Sequence, residues 1–179
     1  MRERLRQSAL ELYGSRGYDL TTTAQIAARA GVTERTFFRY FADKREVLFE
    51  EEALRETLLA GMADAPETVG PYNALIWAFR STEALLEEHK ASSERQQQII
   101  ATTPALKERH LAKLASLTDH LAAALQHRGI DDRRASLAAQ AGMVAYIHAV
   151  ISWNQDPSRT LGAHLFTAFD ELRVLSSNA

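Results

Sequence analysis

The 179-residue chain contains no cysteine, which excludes a disulfide framework and a thiolate metal site. It has no apolar run approaching the ~20 residues needed to cross a bilayer, and no charged start followed by an apolar core of the secretory type. Secretion and a membrane partner are therefore not expected, and a cytoplasmic setting fits. No segment alternates apolar and polar residues convincingly enough to read as a strand, and no internal repeat is present. The six histidines, at 89, 110, 120, 127, 148 and 164, form no i, i+4 pair around a glutamate, and there is neither a phosphate-cradling glycine loop nor a nucleophile elbow. The sequence thus gives no ground for an enzyme, a metal or a cofactor. Proline is scarce: four residues, at 66, 71, 104 and 157, each at the edge of a helical pattern.

Excess charge of either sign is also scarce, with a net charge of −2, but it is unevenly placed. Residues 1–50 hold nine Lys/Arg against seven Asp/Glu, and the remaining 129 hold twelve against sixteen. The positive balance sits at the N-terminal end, in keeping with an anionic partner there. With 46% hydrophobic and 25% charged residues the chain reads as soluble and globular, long enough for one or two small domains.

What is present is helical periodicity from end to end. Leu5, Ala9, Leu10, Leu12 and Tyr13 mark a first helix, ended by Gly14 and Gly17, with Tyr18 and Leu20 leading on as core contacts. Arg2, Arg4 and Arg6 at its start suit either a DNA backbone or a solvated helix end. Thr22 and Gln25 have capping-box spacing ahead of Ile26, Ala27 and Ala30, and Gly31 stands where a helix ends in a left-handed residue. Thr33 then caps a second short helix whose Phe37 and Phe41 lie on one side, with Arg35, Thr36 and Arg39 opposite and Phe38 and Tyr40 on the shoulders. An aromatic root under a basic, hydroxylic face suits the DNA major groove. Asp43 and Glu46 suggest another N-terminal box, with Lys44 as the first residue of a helix continuing through Val47, Leu48, Leu54, Leu58 and Met62 to Pro66.

The later helices follow the same signals. One is expected from Pro71 through Leu75, Ile76, Phe79 and Leu86 to His89, and one after a Ser93–Gln96 box. A long one runs from Thr103–Pro104 to Gly129, one starts near Asp131, and a last opens at Asp156–Pro157. The stretch 138–150 is apolar over more than one face, so it is either a central core helix or packs on a second subunit.

The run Gly17, Tyr18, threonines 21 to 23, Ile26–Ala27, Ala30–Gly31–Val32, Thr36, Phe38, Phe41 and Asp43–Lys44 resembles the tetracycline-repressor (TetR) family of bacterial transcription regulators. The resemblance covers about the first fifty residues; beyond them it is one of helix lengths. Arg35 stands where the family commonly has a small residue or proline, and Phe38 where it has tyrosine, so operator sequence does not carry over. The resemblance implies an all-α fold of about nine helices. An N-terminal three-helix helix-turn-helix domain (1–46) would precede a helical ligand-sensing and dimerisation domain (47–179). It further implies a homodimeric repressor that leaves its double-stranded DNA operator when a small molecule binds. A ligand-independent regulator or an activator would share the first fifty residues; a helical enzyme or interaction module is the distant alternative.

The DNA-contact candidates are Thr23, Thr33, Arg35, Thr36, Phe38, Arg39, Tyr40 and Lys44: Arg35 for a guanine edge, Thr36 for a thymine methyl or a phosphate, Tyr40 for a phosphate or a base, and Thr23, Thr33 and Lys44 for the backbone. Glu34 suits either a cytosine amino group or simply the positive end of its helix. Polar or polarizable residues on apolar faces, Met62, Tyr72, Trp77, His110, Met143 and Tyr146, are the pocket candidates, with core packing as the competing explanation for each. For the dimer interface, which the resemblance assigns to the last two helices, the candidates are Leu137, Ala141, Val144, His148, Ile151, Leu165 and Phe169.

Overall fold

The computed structural model describes residues 1–49, 51–88, 90–156 and 158–177, with only the backbone at 51, 90–94, 176 and 177. Among these residues the fold is all-α, with no strand. The helices are α1 (Arg2–Arg16), α2 (Thr23–Arg29), α3 (Glu34–Tyr40), α4 (Glu51–Asp64), α5 (Pro71–Arg80), α6 (Glu83–Glu88), α7 (Lys90–Thr102), α8 (Pro104–His127), α9 (Asp132–Gln155) and α10 (Leu161–Ser177), with a 3-10 turn over Glu46–Leu48.

The chain forms two compact units, Met1–Glu51 with His89–Lys113, and Glu52–Glu88 with Leu114–Ala179. The expected division into 1–46 and 47–179 follows chain order. Packing instead adds 47–51 and 89–113 to the first unit, because Val47, Leu48, Phe49, Ile99, Ile100 and Leu106 are buried in the core built by Leu5, Tyr13, Ile26, Phe37 and Phe41. In the second unit Leu58, Met62, Leu75, Phe79, Leu121, Met143, Tyr146, Trp153, Leu165 and Phe169 share one core, with α5, α9 and α10 packed on each other. Close approach there depends on small residues. A Cβ on Gly61 would meet Ser81 Cβ at 2.8 Å and the Ala78 Cα at 3.0 Å, so α4 and α5 touch where α4 has no side chain.

Several expected boundaries move, for identifiable reasons. Lys44 does not open a helix: Asp43 Oδ1 accepts from the backbone of Arg45 (2.7 Å) and Glu46 (3.2 Å), which produces only the 3-10 turn, and α4 begins at Glu51. The helix expected from Pro71 to His89 breaks at Ser81–Thr82. There both hydroxyls bond to carbonyls three residues back, Ser81 to Ala78 (2.7 Å) and Thr82 to Phe79 (2.7 Å), which competes with the helical ladder. Ser93 falls inside α7 rather than ahead of it; its side chain, like His89 and Pro157, lies outside the described residues. The last helix starts at Leu161, where Glu83 accepts from the Leu161 N–H (3.0 Å) and Thr160 from that of Ala163 (3.2 Å). Leu20 is exposed rather than a core contact. Contrary to the reading of the apolar runs, α9 is long and apolar enough to cross a bilayer by length and composition alone. One side of it is the second unit's core, through Met143, Tyr146 and Trp153.

Candidate nucleic-acid interface

The helix-turn-helix forms as its capping residues dictate. Thr22 Oγ1 accepts from the Gln25 N–H (3.2 Å) while Gln25 Oε1 accepts from the Thr22 N–H (3.0 Å), a reciprocal box that starts α2. At its other end Gly31 adopts φ 67°, its N–H bonds to Ala28 O (3.0 Å), and the Val32 N–H bonds to Ala27 O (2.9 Å). These paired bonds satisfy the last carbonyls of α2 and turn the chain; a Cβ at this φ would be strained. Thr33 Oγ1 then accepts from the Thr36 N–H (3.2 Å) and opens α3.

Helix α3 is rooted by Phe37 and Phe41, both buried, with ring centroids 5.6 Å apart. Arg35 and Arg39 are four residues apart on the opposite side and exposed, and Thr36 and Tyr40 are half-buried beside them. Phe38 is exposed, its ring edge-on to Phe37 at 5.5 Å. Arg39 lies over the Tyr40 ring at 5.1 Å, so the two share one surface. Seven of the eight expected contact residues thus cluster on or beside α3. Thr23 joins through α2, its hydroxyl donating to Glu34 Oε1 in a short bond between the first residues of the two helices.

Lys44 is the exception. Its ammonium donates to Tyr18 O (2.9 Å) and Thr21 O (3.0 Å) and lies 4.1 Å from the Tyr18 ring centroid. Its own carbonyl accepts from the Tyr13 hydroxyl (2.6 Å), and burial pushes that phenol well above its ordinary pKa. The expected phosphate ligand is therefore an internal tie between the loop entering α2 and the loop leaving α3. Arg6 also faces inward: it is buried and paired with Glu3 at 2.8 Å, neither solvated nor outward. Arg2 does what sequence reasoning did not anticipate. It donates to Tyr40 O at the end of α3 (3.3 Å) and lies 5.1 Å from the Phe41 ring centroid. A cation at a helix C-terminus is the only signal that marked it.

The pocket candidates do not converge. Met62, Met143 and Tyr146 are buried in the second unit's core. Tyr146 stacks on Phe79 at 4.5 Å and bonds to Thr82 Oγ1 at 3.0 Å. Because the Thr82 hydroxyl donates to Phe79 O, the Tyr146 hydroxyl is the donor of that pair. Burial pushes its pKa up to about 12. Tyr72 and Trp77 are about half exposed, and His110 belongs to the first unit, stacked on Phe49 at 6.1 Å, where burial lowers its pKa.

The dimer candidates divide. Leu137, Val144 and Ile151, at seven-residue spacing on α9, are 67%, 62% and 48% exposed, with Ala141 half-buried and His148 exposed between them. Leu165 and Phe169 are consumed by the chain's own core; the outward apolar residues of α10 are Phe166, Val174 and Leu175. The sequence pattern could not separate the two sides of α10, since both are apolar.

Comparison with known proteins gives the following. The family description "Bacterial regulatory proteins, tetR family" matches residues 5–50. The HTH-type transcriptional regulator TcmR of Streptomyces glaucescens is 33% identical over 138 residues, 73% of this chain and 61% of TcmR. The chain thus spans less than two thirds of that relative's length. The solved complex of SmeT with triclosan aligns with a TM-score of 0.63 at 21% identity, over 95% of this chain and 88% of that one. SmeT is the repressor of the Stenotrophomonas maltophilia multidrug efflux pump SmeDEF. FadR of Thermus thermophilus, a TetR-family repressor solved with lauroyl-CoA, aligns at 26% identity with a TM-score of 0.51, over 95% and 92% of the two chains.

Proposed function

Because this chain belongs to the tetR family of bacterial regulatory proteins, we propose that it is a homodimeric transcriptional repressor, without enzymatic activity, that binds an operator in double-stranded DNA and leaves it when a small molecule binds. The observation that carries the reading is the surface of α3, where Arg35, Thr36, Phe38, Arg39 and Tyr40 stand outward above the buried Phe37 and Phe41. A seven-residue helix reads few base pairs, so specificity requires two copies. In a two-fold dimer the recognition helices enter the major groove about one DNA turn, roughly 34 Å, apart. The exposed stripe Leu137, Val144 and Ile151 supports α9 as the self-complementary surface that sets this spacing. A ligand that favours a dimer with altered spacing between the two helices then weakens DNA binding by the same coupling energy with which DNA weakens ligand binding. Release from DNA by a small-molecule effector is supported by the triclosan and lauroyl-CoA found in the SmeT and FadR structures. Such a protein works where the DNA is, in the cytoplasm.

Selection from a random-sequence duplex pool tests the reading. The expected result is enrichment of a two-fold symmetric site, bound with an affinity that falls steeply with salt because phosphates are neutralised. Arg35→Ala should relax the preference at one position in each half-site. No enrichment, or binding insensitive to salt, would overturn it.

A further inference from the structure

Immediately after the recognition helix, three neighbouring positions are fastened to α7 and α8 within the first unit. Glu46 forms ion pairs with Arg109 and, at 3.0 Å, with Lys113, residues one turn apart on α8. The Leu48 carbonyl accepts from Gln96 Nε2 of α7 at 2.6 Å. Phe49 stacks on His110 and lies under the Lys113 ammonium, 5.8 Å from the ring centroid. Glu46 and Lys113 side chains are only 18% and 11% exposed, so that pair is not the loosely held kind of an open surface, whereas Arg109 is 41% exposed.

We infer that Glu46 is a positioning residue for DNA reading: through Arg109 and Lys113 it locks the exit of the helix-turn-helix to α8 and so fixes the presentation of α3. The inference rests on the DNA-binding reading above. It also makes a prediction opposite in sign to simple electrostatics. An acid in the DNA-binding unit repels phosphates, so if Glu46 were only a surface charge its neutralisation would tighten DNA binding. As a lock, its neutralisation weakens operator binding.

The test is fluorescence anisotropy of the full chain on the selected site and on a scrambled duplex, for the parent, Glu46→Gln, Arg109→Met and the double variant, each checked for fold by circular dichroism. Each single variant is expected to weaken operator binding by roughly three- to tenfold, and the double variant by no more than either alone, as for groups in direct contact. Operator binding by Glu46→Gln as tight as the parent's or tighter, or losses that add in the double variant, would overturn the inference. Should Glu46→Gln not fold, Arg109→Met answers by itself. A loss with unchanged salt dependence supports the lock, whereas a salt slope lower by about one assigns Arg109 to a phosphate and refutes it. If the parent chain selects no site at all, it is the DNA-binding reading that has failed, not this one.

Discussion

Lys44→Met separates two roles that one lysine could play. Methionine keeps the apolar stem against Tyr18 but removes the ammonium, and with it the bonds to Tyr18 O and Thr21 O and the ring contact. Hydrogen bonds from a charged donor contribute about 1.5–3 kcal/mol each, and a cation over a ring about 0.5–1 kcal/mol where water has access. Lys44 is half-buried, so water can reach both carbonyls once the ammonium is gone, and the lower ends of those ranges apply. The expected cost is about 3–4 kcal/mol, or a lowering of the melting midpoint by roughly 7–14 °C for a chain of this size.

The molecule provides its own control for that measurement. Its two tryptophans, Trp77 and Trp153, both lie in the second unit, whereas Lys44 lies in the first. Far-ultraviolet circular dichroism should register the loss, and tryptophan emission should follow it less or not at all. On DNA, the variant should bind the operator more weakly with an unchanged slope of log affinity against log salt, because no phosphate contact is lost. An unaltered denaturation midpoint together with a slope reduced by about one would make Lys44 a phosphate ligand and refute the internal tie.

Three further perturbations have defined outcomes. Below pH 10 the Tyr146 phenol is neutral in folded and unfolded chains; between pH 10 and about 12 only the unfolded chain releases the proton, so stability should fall with rising pH by up to about 1.4 kcal/mol per unit through this group. Denaturant titrations across that range should be flatter in Tyr146→Phe, and equal slopes for both proteins would contradict the burial. Val144→Asp places a charge in the outward stripe of α9 and should convert a particle of twice 20.0 kDa in light scattering into one of 20.0 kDa, whereas a parent already monomeric at micromolar concentration would remove α9 as the interface. Gly61→Ala should cost about 1–3 kcal/mol, as overpacking does, because its methyl meets Ser81 Cβ and the Ala78 backbone; a thermal midpoint within error of the parent's would mean that α4 and α5 part readily.

The elements most readable in the sequence are those fixed by local chemistry. Thr22, Gln25, Gly31 and Thr33 act within four residues of themselves, and their cap bonds and turn form as their types require. The aromatic root of α3 was equally legible, because Phe37 and Phe41 share a side at any helical geometry. What escaped depends on partners distant in sequence. The same Lys44 that suits a phosphate also suits two loop carbonyls, and only Tyr18 and Thr21, more than twenty residues earlier, decide between them. Likewise Leu165 and Val144 are both apolar residues on apolar helices, and their opposite fates follow from where α5, α9 and α10 meet.

The same distinction governs what the reading surface depends on. Its outward residues were identifiable one by one, but its orientation rests on groups that no local pattern marks. Arg2 holds the last carbonyl of α3, Lys44 holds the loop that enters α2, and Glu46 holds the exit against Arg109 and Lys113. Each tie joins segments far apart in sequence, and none needs to touch a base. On the proposed reading, a substitution at any of them is expected to change the angle at which Arg35 and Arg39 meet the groove, and a contact displaced by about 1 Å to lose the bidentate geometry on which base discrimination depends. On that reading specificity resides as much in the lysine, glutamate and arginine beneath and behind α3 as in the side chains on its outer face.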